Sequence, residues 1–294
     1  MTRLPVVFNP AARGGRSRPP RDALAAVASR FGVILEWWRT EAPGHAADLA
    51  ARAAREGYPA LAVWGGDGTY NEAARGLLGT ATALIALPGG TTSVLAWELG
   101  IPRDPAAALA ALLAGRRRSM AVGRTDQGQI VLLMLSAGPD VLILQRTPNS
   151  LKRSLGKIGI GVQAVAEFVR GRLPRFAVTI AGRTDVVGWC VIGNARSYGG
   201  RWHATPGADP FTPGFEVVAL ETAGRAAAAG FFLGLVRGRH LARTGVTRRQ
   251  ADLVSLEGDG VAYQIDGDVA GKLPVRLEPA AEGLWVMVPG RERP

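Results

Sequence analysis

The sequence predicts two domains of different class: an α/β domain with a mostly parallel sheet over residues 1–120, and a mainly antiparallel β-sandwich over residues 121–294. Three observations lead there. Up to residue 114, short apolar runs alternate with Ala-rich helical stretches. Beyond Arg116-Arg117-Arg118 the apolar runs become shorter and β-rich, and Gly, Pro and Asp turns separate them. The length, 294 residues, is enough for two cores without a disulfide or metal staple.

In the first domain the apolar runs at 4–8, 33–38, 60–64 and 83–87 read as strands, and the segments at 21–31, 45–56, 70–78, 93–99 and 105–114 as helices. That βαβα rhythm implies crossover connections and hence a parallel sheet, whose ligands bind at the carboxyl ends of its strands. In the second domain, strands are expected at 130–135, 176–180, 186–192, 215–220, 253–256, 261–265 and 284–288. Helical inserts interrupt them at 150–170 and 225–241, and the boundary falls near 115–125.

With 47% hydrophobic and 20% charged residues the chain is neither disordered nor fibrous. The single cysteine, Cys190, excludes an intramolecular disulfide framework and a Cys-rich zinc site, and fits a reducing compartment. The 35 basic and 24 acidic residues leave a net charge of +11, nearly all from arginine, since only Lys152, Lys157 and Lys272 are lysines. Such a balance favours nucleic acid, an anionic membrane surface or phosphorylated ligands. A coding bias toward Arg, Ala and Gly would produce the same balance. No stretch reaches the roughly 20 apolar residues of a membrane span. Residues 2–7 run straight into Asn9-Pro10 without a signal-type apolar stretch, so a cytoplasmic protein touching the membrane peripherally is expected.

Gly65-Gly66-Asp67-Gly68-Thr69-Tyr70-Asn71-Glu72 lies between a strand and a helix. Glycines let the backbone approach a polyphosphate, and the helix N-terminus presents N–H groups and a positive dipole end to the anion. Asp67 beside phosphates makes sense if it recruits Mg²⁺, directly or through water. Thr69 and Glu72 also fit a capping box, and the two readings are compatible. A second corner, Pro88-Gly89-Gly90-Thr91-Thr92-Ser93, follows the next strand, so Thr91 is placed to touch what the first loop holds. A third, Asn9-Pro10-Ala11-Ala12-Arg13-Gly14-Gly15, follows the first strand.

Asn9-Pro10, the Gly65 to Glu72 loop, the Gly89-Gly90-Thr91 turn and Asp266-Gly267-Asp268 together resemble, in order and spacing, the diacylglycerol kinase catalytic-domain family. That family includes bacterial lipid kinases and the sphingosine and ceramide kinases, and the resemblance covers essentially the whole chain. It implies an ATP-dependent, Mg²⁺-using lipid kinase of phospholipid metabolism, with ATP in a cleft between an α/β domain and a β-sandwich that takes the lipid alcohol. It implies ATP contacts at Asn9, Thr40, Gly66, Asp67, Gly68, Thr69, Asn71, Glu72 and Thr91, framed by Gly65 and Gly90. Asp268 stands where the family usually has a glutamate, the base that takes the proton from the lipid hydroxyl; Asp67 and Asp268 are thus the expected catalytic residues. Gly193-Asn194-Ala195 and Tyr198-Gly199-Gly200 match a stretch lining that cleft, which makes Asn194, Tyr198 and Gly199 candidate substrate-cleft residues.

Two positions depart from the family pattern. Ser93-Val94-Leu95-Ala96 stands where many members have Asn-Asp-Phe-Ala. Thr212-Pro213-Gly214 replaces an Asp-Gly pair associated with a structural magnesium site, so that site does not carry over, and Asp209 is an unaligned substitute.

Read without the resemblance, the residues suit phosphoryl transfer, which asks a protein to align donor and acceptor and to neutralise charge. There is no GxxxxGK[ST] and no GxSxG. Gly159 to Ala164 fits a loose dinucleotide fingerprint, but the polar stretch before it is no strand. His45, His203 and His240 lack metal-ligand spacing. The basic amphipathic stretch at 151–173 and the cluster Arg237, Arg239, Arg243, Arg248 and Arg249 suit either an anionic bilayer surface or core-facing helices with solvated flanks. No nucleic-acid reader motif is present. A soluble-substrate kinase of the NAD kinase type, a catalytically weak nucleotide- or lipid-binding module, and a homodimer all stay open.

Overall fold

The computed structural model describes residues 2–10, 18–90, 92–146 and 173–290. The chain divides into two compact units, Met1–Ala121 with Ala281–Pro294, and Val122–Ala280.

The first unit follows the predicted alternation: β1 (Thr2–Phe8), α1 (Arg21–Arg30), β2 (Val33–Arg39), α2 (His45–Arg55), β3 (Ala60–Gly65), α3 (Asp67–Leu77), β4 (Ala83–Pro88), α4 (Val94–Glu98), α5 (Pro105–Leu113) and β5 (Arg116–Met120). Among the described residues its sheet runs β2-β1-β3-β4, then the last strand of the chain, β20 (Leu284–Val288), then β5. Strands β1 to β4 are parallel, as is the β4–β20 pair, while β5 pairs antiparallel with β20. The central strands are apolar along their length because both faces are covered: Val6, Val7, Leu61 to Val63 and Leu84 to Leu87 are all buried. Asp104 starts α5 by accepting from the Ala107 amide (2.8 Å), with Pro105 at the first helical position.

The return of β20 departs from the expectation that residues 284–288 belong to the second domain. Leu284, Val286 and Val288 are buried in alternation, and that stripe needs an apolar sheet edge, which β4 offers. The arginine run expected at a boundary is itself strand β5, with the Arg117 guanidinium stacked on Trp285 (4.7 Å).

The second unit contains β6 (Gly123–Thr125), β7 (Ile130–Val131), β8 (Met134–Ala137), α6 (Pro139–Arg146), β9 (Phe176–Ile180), β10 (Arg183–Val187), β11 (Trp189–Gly193), β12 (Ser197–Tyr198), β13 (Trp202–His203), β14 (Phe215–Leu220), α7 (Arg225–Val236), β15 (Val246–Ala251), β16 (Val254–Glu257), β17 (Ala262–Ile265), β18 (Asp268–Lys272) and β19 (Val275–Pro279). Among the described residues two antiparallel sheets, β10-β9-β16-β19-β6-β7 and β15-β14-β11-β8-β17-β18, make the sandwich; β12 and β13 form a separate hairpin. Its core takes Phe176, Val178, Leu256, Val275 and Leu277 from one sheet and Leu135, Cys190, Ile192, Phe215, Val217, Tyr263 and Ile265 from the other.

Two predicted strands are each divided between the sheets. The run 186–192 breaks at Gly188, where a Cβ would lie 2.6 Å from the Ala223 Cα and the Thr222 carbonyl. β10 ends in one sheet there and β11 begins in the other. The run 130–135 breaks at Leu132-Leu133, between β7 and β8. The helical insert expected at 225–241 is α7 followed by a short 3-10 turn at His240–Ala242. The insert at 150–170, the fingerprint-like Gly159 to Ala164 and the basic stretch 151–172 lie outside the described residues.

Candidate functional site

In the first unit, β1 and β3 are neighbours, β2 lies on one side and β4 on the other, so the strand order reverses between β1 and β3. Such a switch point opens at the carboxyl ends of the strands, where parallel sheets hold ligands. Phe8 pairs with Arg39 and Trp64, and Gly65 with Pro88, so Asn9, Thr40, Gly65-Gly66 and Gly89-Gly90 all lie on that one edge. Thr40 is buried and its amide donates to the Phe8 carbonyl (3.0 Å). Phe8, Pro10, Arg18, Trp37 and Arg39 line a recess at the same edge, with the Arg21 guanidinium over Phe8 (5.0 Å) and Trp37 (4.9 Å).

Helix α3 begins at Asp67 with Gly66 as N-cap and no side-chain cap bond. It therefore starts three residues before the predicted helix, and Thr69 is a first-turn residue instead of a cap. Thr69 folds over Gly65, where a Cβ would lie 2.8 Å from the Thr69 Cβ. The motif thus needs its glycine for side-chain room as well as for ligand approach. The first-turn amides of α3 have no intrahelical acceptor and face the end of the sheet. Tyr70 is fully buried and its hydroxyl donates to the Leu87 carbonyl (2.6 Å), tying α3 to β4; burial pushes its phenol far above the usual range. Asn71 is buried and accepts from Arg75 Nε (3.3 Å), while Glu72 is half-buried.

The structure brings the two glycine corners into backbone contact. The Gly89 amide donates to the Gly65 carbonyl (2.9 Å), and a Cβ at Gly90 would lie 2.6 Å from the Gly66 Cα. Ser93, held in left-handed backbone (φ 45°), accepts from the Gly90 amide (3.3 Å) and donates to the Gly65 carbonyl (3.4 Å). Asp67 completes the junction: its two carboxylate oxygens accept the amides of Val94 and Leu95, each at 2.9 Å. In the residue pattern Asp67 stands out only by its charge, and nothing there marks Ser93. Thr91 and residues 11–15 lie outside the described residues. Replacing Gly90 by alanine is expected to destabilise the fold by about 2 kcal/mol, as overpacking does. A thermal melt checks this; an unchanged melting temperature would mean that the two corners can move apart.

Among the described residues no group of three or more His, Cys, Asp or Glu is placed to hold a metal ion. Asp67 supplies two carboxylate oxygens, the hard donors that Mg²⁺ takes, and each also accepts a backbone amide. The residues therefore fit a Mg²⁺ shared with phosphate oxygens, the usual mode for that ion, and do not form a protein cage. Asp209 accepts from the Phe211 amide (3.1 Å) and the Thr212 hydroxyl (3.0 Å) in a local turn.

In the second unit the candidate base sits on a tight hairpin. Ile265 and Asp268 pair as the closing residues of β17 and β18, and Asp266 (φ 52°) and Gly267 (φ 97°) are the two loop residues. Two positive φ values in a two-residue loop are what Asp-Gly favours, so this turn has a signal in the sequence. Asp268 is exposed. Asp266 is the anchor: its carboxylate accepts the amides of Leu132 (3.0 Å), Leu133 (2.8 Å) and Met134 (3.0 Å). Those amides lie where the chain leaves one sheet for the other, and their acceptor is why the predicted strand 130–135 is divided. The carbonyls of the same segment go to Asn194, whose Nδ2 donates to Leu132 (2.9 Å) and whose backbone amide donates to Leu133 (2.8 Å). Asn194 is thus buried and bonded internally.

A second set of hydrogen bonds holds the turn from behind. The Gly267 amide donates to Gln264 Oε1 (2.6 Å), Gln264 Nε2 to the Ser136 hydroxyl (2.7 Å), and Ser136 to Asp140. Tyr198 also donates to Asp140 (2.9 Å). Burial pushes the Asp140 carboxyl above the ordinary carboxylate range, while these hydroxyls pull it back. The neighbouring Gly199 (φ 56°) and Gly200 (φ 135°) make the turn between β12 and β13. Asp140, Ser136 and Gln264 were not anticipated, although Gly138-Pro139-Asp140, a glycine and proline at a helix start, is a readable corner.

Comparison with known proteins agrees with both halves. The diacylglycerol kinase catalytic domain matches residues 3–125, and the YegS C-terminal NAD kinase beta sandwich-like domain matches residues 134–288. A diacylglycerol kinase of Mycobacterium tuberculosis is 28% identical over 249 residues, covering 82% of this chain and 80% of its own. A protein of Pseudomonas aeruginosa named a probable lipid kinase YegS-like is 34% identical over 195 residues, 63% of each chain. A Bacillus anthracis structure provisionally assigned as a diacylglycerol kinase superposes with a TM-score of 0.81 at 19% identity, over 97% of this chain and 95% of that one. That likeness shows the fold.

Proposed function

The chain belongs to the diacylglycerol kinase catalytic-domain family of lipid kinases, and from that premise we propose that it transfers the γ-phosphate of ATP to the hydroxyl of a diacylglycerol-like lipid. The observation that carries this reading is the contact between Gly66 and Gly90, at the ends of β3 and β4 and beside the switch point of the parallel sheet. Two glycine corners with no Cβ between them, a helix N-terminus and nearby arginines suit a polyphosphate. The first unit is the proposed nucleotide half and the second the proposed lipid half.

In this reading Asn9, Thr40, Gly65, Gly66, Gly68, Thr69, Asn71, Glu72, Gly90 and Thr91 form the nucleotide surface. Asp67 would be the residue that holds a Mg²⁺ bound with the nucleotide, and the ion would supply neutralisation of phosphate charge. The acceptor hydroxyl oxygen attacks the γ-phosphorus, the bond to the β–γ bridging oxygen breaks, ADP leaves, and Asp268 takes the hydroxyl proton. Tyr198 and Gly199 are the remaining proposed contacts to the acceptor. The exposed carboxylate of Asp268 on a turn anchored from two sides supports its role, because a base must be held still and still be reachable.

The test is transfer of radiolabelled phosphate from ATP to a lipid panel in detergent micelles, with the product identified by mass spectrometry. Mg²⁺-dependent labelling of a diacylglycerol-like alcohol is expected, with none after chelation of the metal. Phosphorylation of NAD without detergent would replace this reading with a soluble-substrate kinase. Tight ATP binding with no turnover on any lipid would replace it with a binding module.

A further inference from the structure

Helix α7 presents an outer face that the rest of the described chain does not cover. At about 100° per residue, Arg225, Ala226, Ala229, Leu233, Val236 and Arg237 fall within one arc of about 120°. All six are exposed, Leu233 to 46% and Val236 to 41%. The opposite face carries the packing: Ala228, Phe231 and Leu235 are buried, and Phe231 meets the Trp189 ring at 4.9 Å. Exposed apolar side chains scattered singly need no explanation, whereas a continuous stripe along a helix does.

The charge that the helix and the chain after it carry is of one sign. Between Glu221 and Asp252 the sequence holds Arg225, Arg237, Arg239, Arg243, Arg248 and Arg249 and no acidic residue. The structure sorts these arginines. Arg248 pairs with buried Glu216 and Arg249 with Asp185, on strand β15. Arg225 and Arg237 sit at the two ends of the stripe, and exposed Arg239 follows directly. Arg243 lies along its side, because Gly230 and Gly234 leave room for it: a Cβ at Gly230 would strike its guanidinium, and one at Gly234 would lie 3.1 Å from its Cδ.

We propose that this outer face of α7 docks on an anionic lipid bilayer, the apolar stripe entering the headgroup boundary and Arg237, Arg239 and Arg243 meeting lipid phosphates. An apolar strip flanked by cations and free of acids is complementary to such a surface. A second copy of the chain would set the same arginines against one another. The inference deepens the lipid-kinase reading and rests on it only in that a long-chain alcohol must be reached in a membrane.

Co-sedimentation of the full chain with vesicles, without ATP, tests it. Wild type is expected to sediment with phosphatidylglycerol-containing vesicles and not with pure phosphatidylcholine. Arg237→Gln with Arg239→Gln is expected to weaken partitioning about 25-fold, at roughly 1 kcal/mol for each arginine near the surface. Leu233→Asp with Val236→Asp is expected to abolish it while leaving the melting temperature unchanged. Wild-type partitioning by both variants, equal binding to neutral vesicles, or a dimer in light scattering that Leu233→Asp dissociates would each overturn the proposal. Because no turnover is read, failure of the kinase reading shows separately, as absent phosphorylation in micelles.

Discussion

Replacing Asp268 by alanine is expected to lower lipid phosphorylation by about 10²- to 10⁴-fold, the usual worth of a positioned general base. Nucleotide affinity measured by calorimetry should stay within two-fold of wild type. The side chain is exposed at the first position of β18 and bonds nothing in the described structure that the fold requires, so the melting temperature should hold. Asp268→Asn should match the alanine variant, because it keeps the size and loses the proton acceptor. Asp268→Glu should restore much of the rate, since the hairpin places a carboxylate and the extra methylene only lengthens its reach. Wild-type turnover by Asp268→Asn would remove this residue from the mechanism, whatever the lipid.

The neighbouring aspartate should behave in the opposite way. Asp266→Ala is expected to destabilise the protein by about 3 to 5 kcal/mol, because three backbone amides lose a charged acceptor and alanine is poorly suited to the left-handed backbone at that position (φ 52°). A fall in melting temperature of about 10 °C follows for a chain of this size. Asp266→Asn should lose roughly half as much, since it tolerates the same backbone and keeps one acceptor oxygen. Differential scanning calorimetry decides; a melting temperature unchanged in Asp266→Ala would mean that water replaces the carboxylate at the sheet switch. Two aspartates separated by one glycine are thus expected to divide the work, one holding the turn and one exposed on it.

Much of the first unit was legible because its signals are local. Each strand is one apolar run, each crossover one Ala-rich segment, and each glycine corner falls between them, so element order and the ligand edge follow from pattern alone. The start of α3 was misplaced because Thr69 and Glu72 imitate a capping box, while the actual cap, Gly66, offers no side-chain signal. The role of Asp67 was legible only as charge. Its partners, Val94 and Leu95, belong to the next corner, and their backbone amides leave no trace in a residue pattern.

The second unit hid more, since antiparallel strands exchange sheets at points that no periodicity marks. Gly188 and the Leu132-Leu133 link look like interior positions of continuous apolar runs. They become breaks because Thr222 and Ala223 crowd the first, and because Asp266 and Asn194 satisfy the backbone of the second.

The sequence by itself determined the two fold classes, the order of elements through residue 114 and the glycine corners. All of these depend on residues close together in the chain. Only the tertiary structure decided that the last strand returns to the first sheet, that Gly66 and Gly90 touch, that Asp266 anchors a chain crossing more than a hundred residues upstream in sequence, and which arginines stay outside. Those outcomes depend on which distant backbone groups find partners and which apolar stripes find cover, and burial settles both only after the chain has closed on itself.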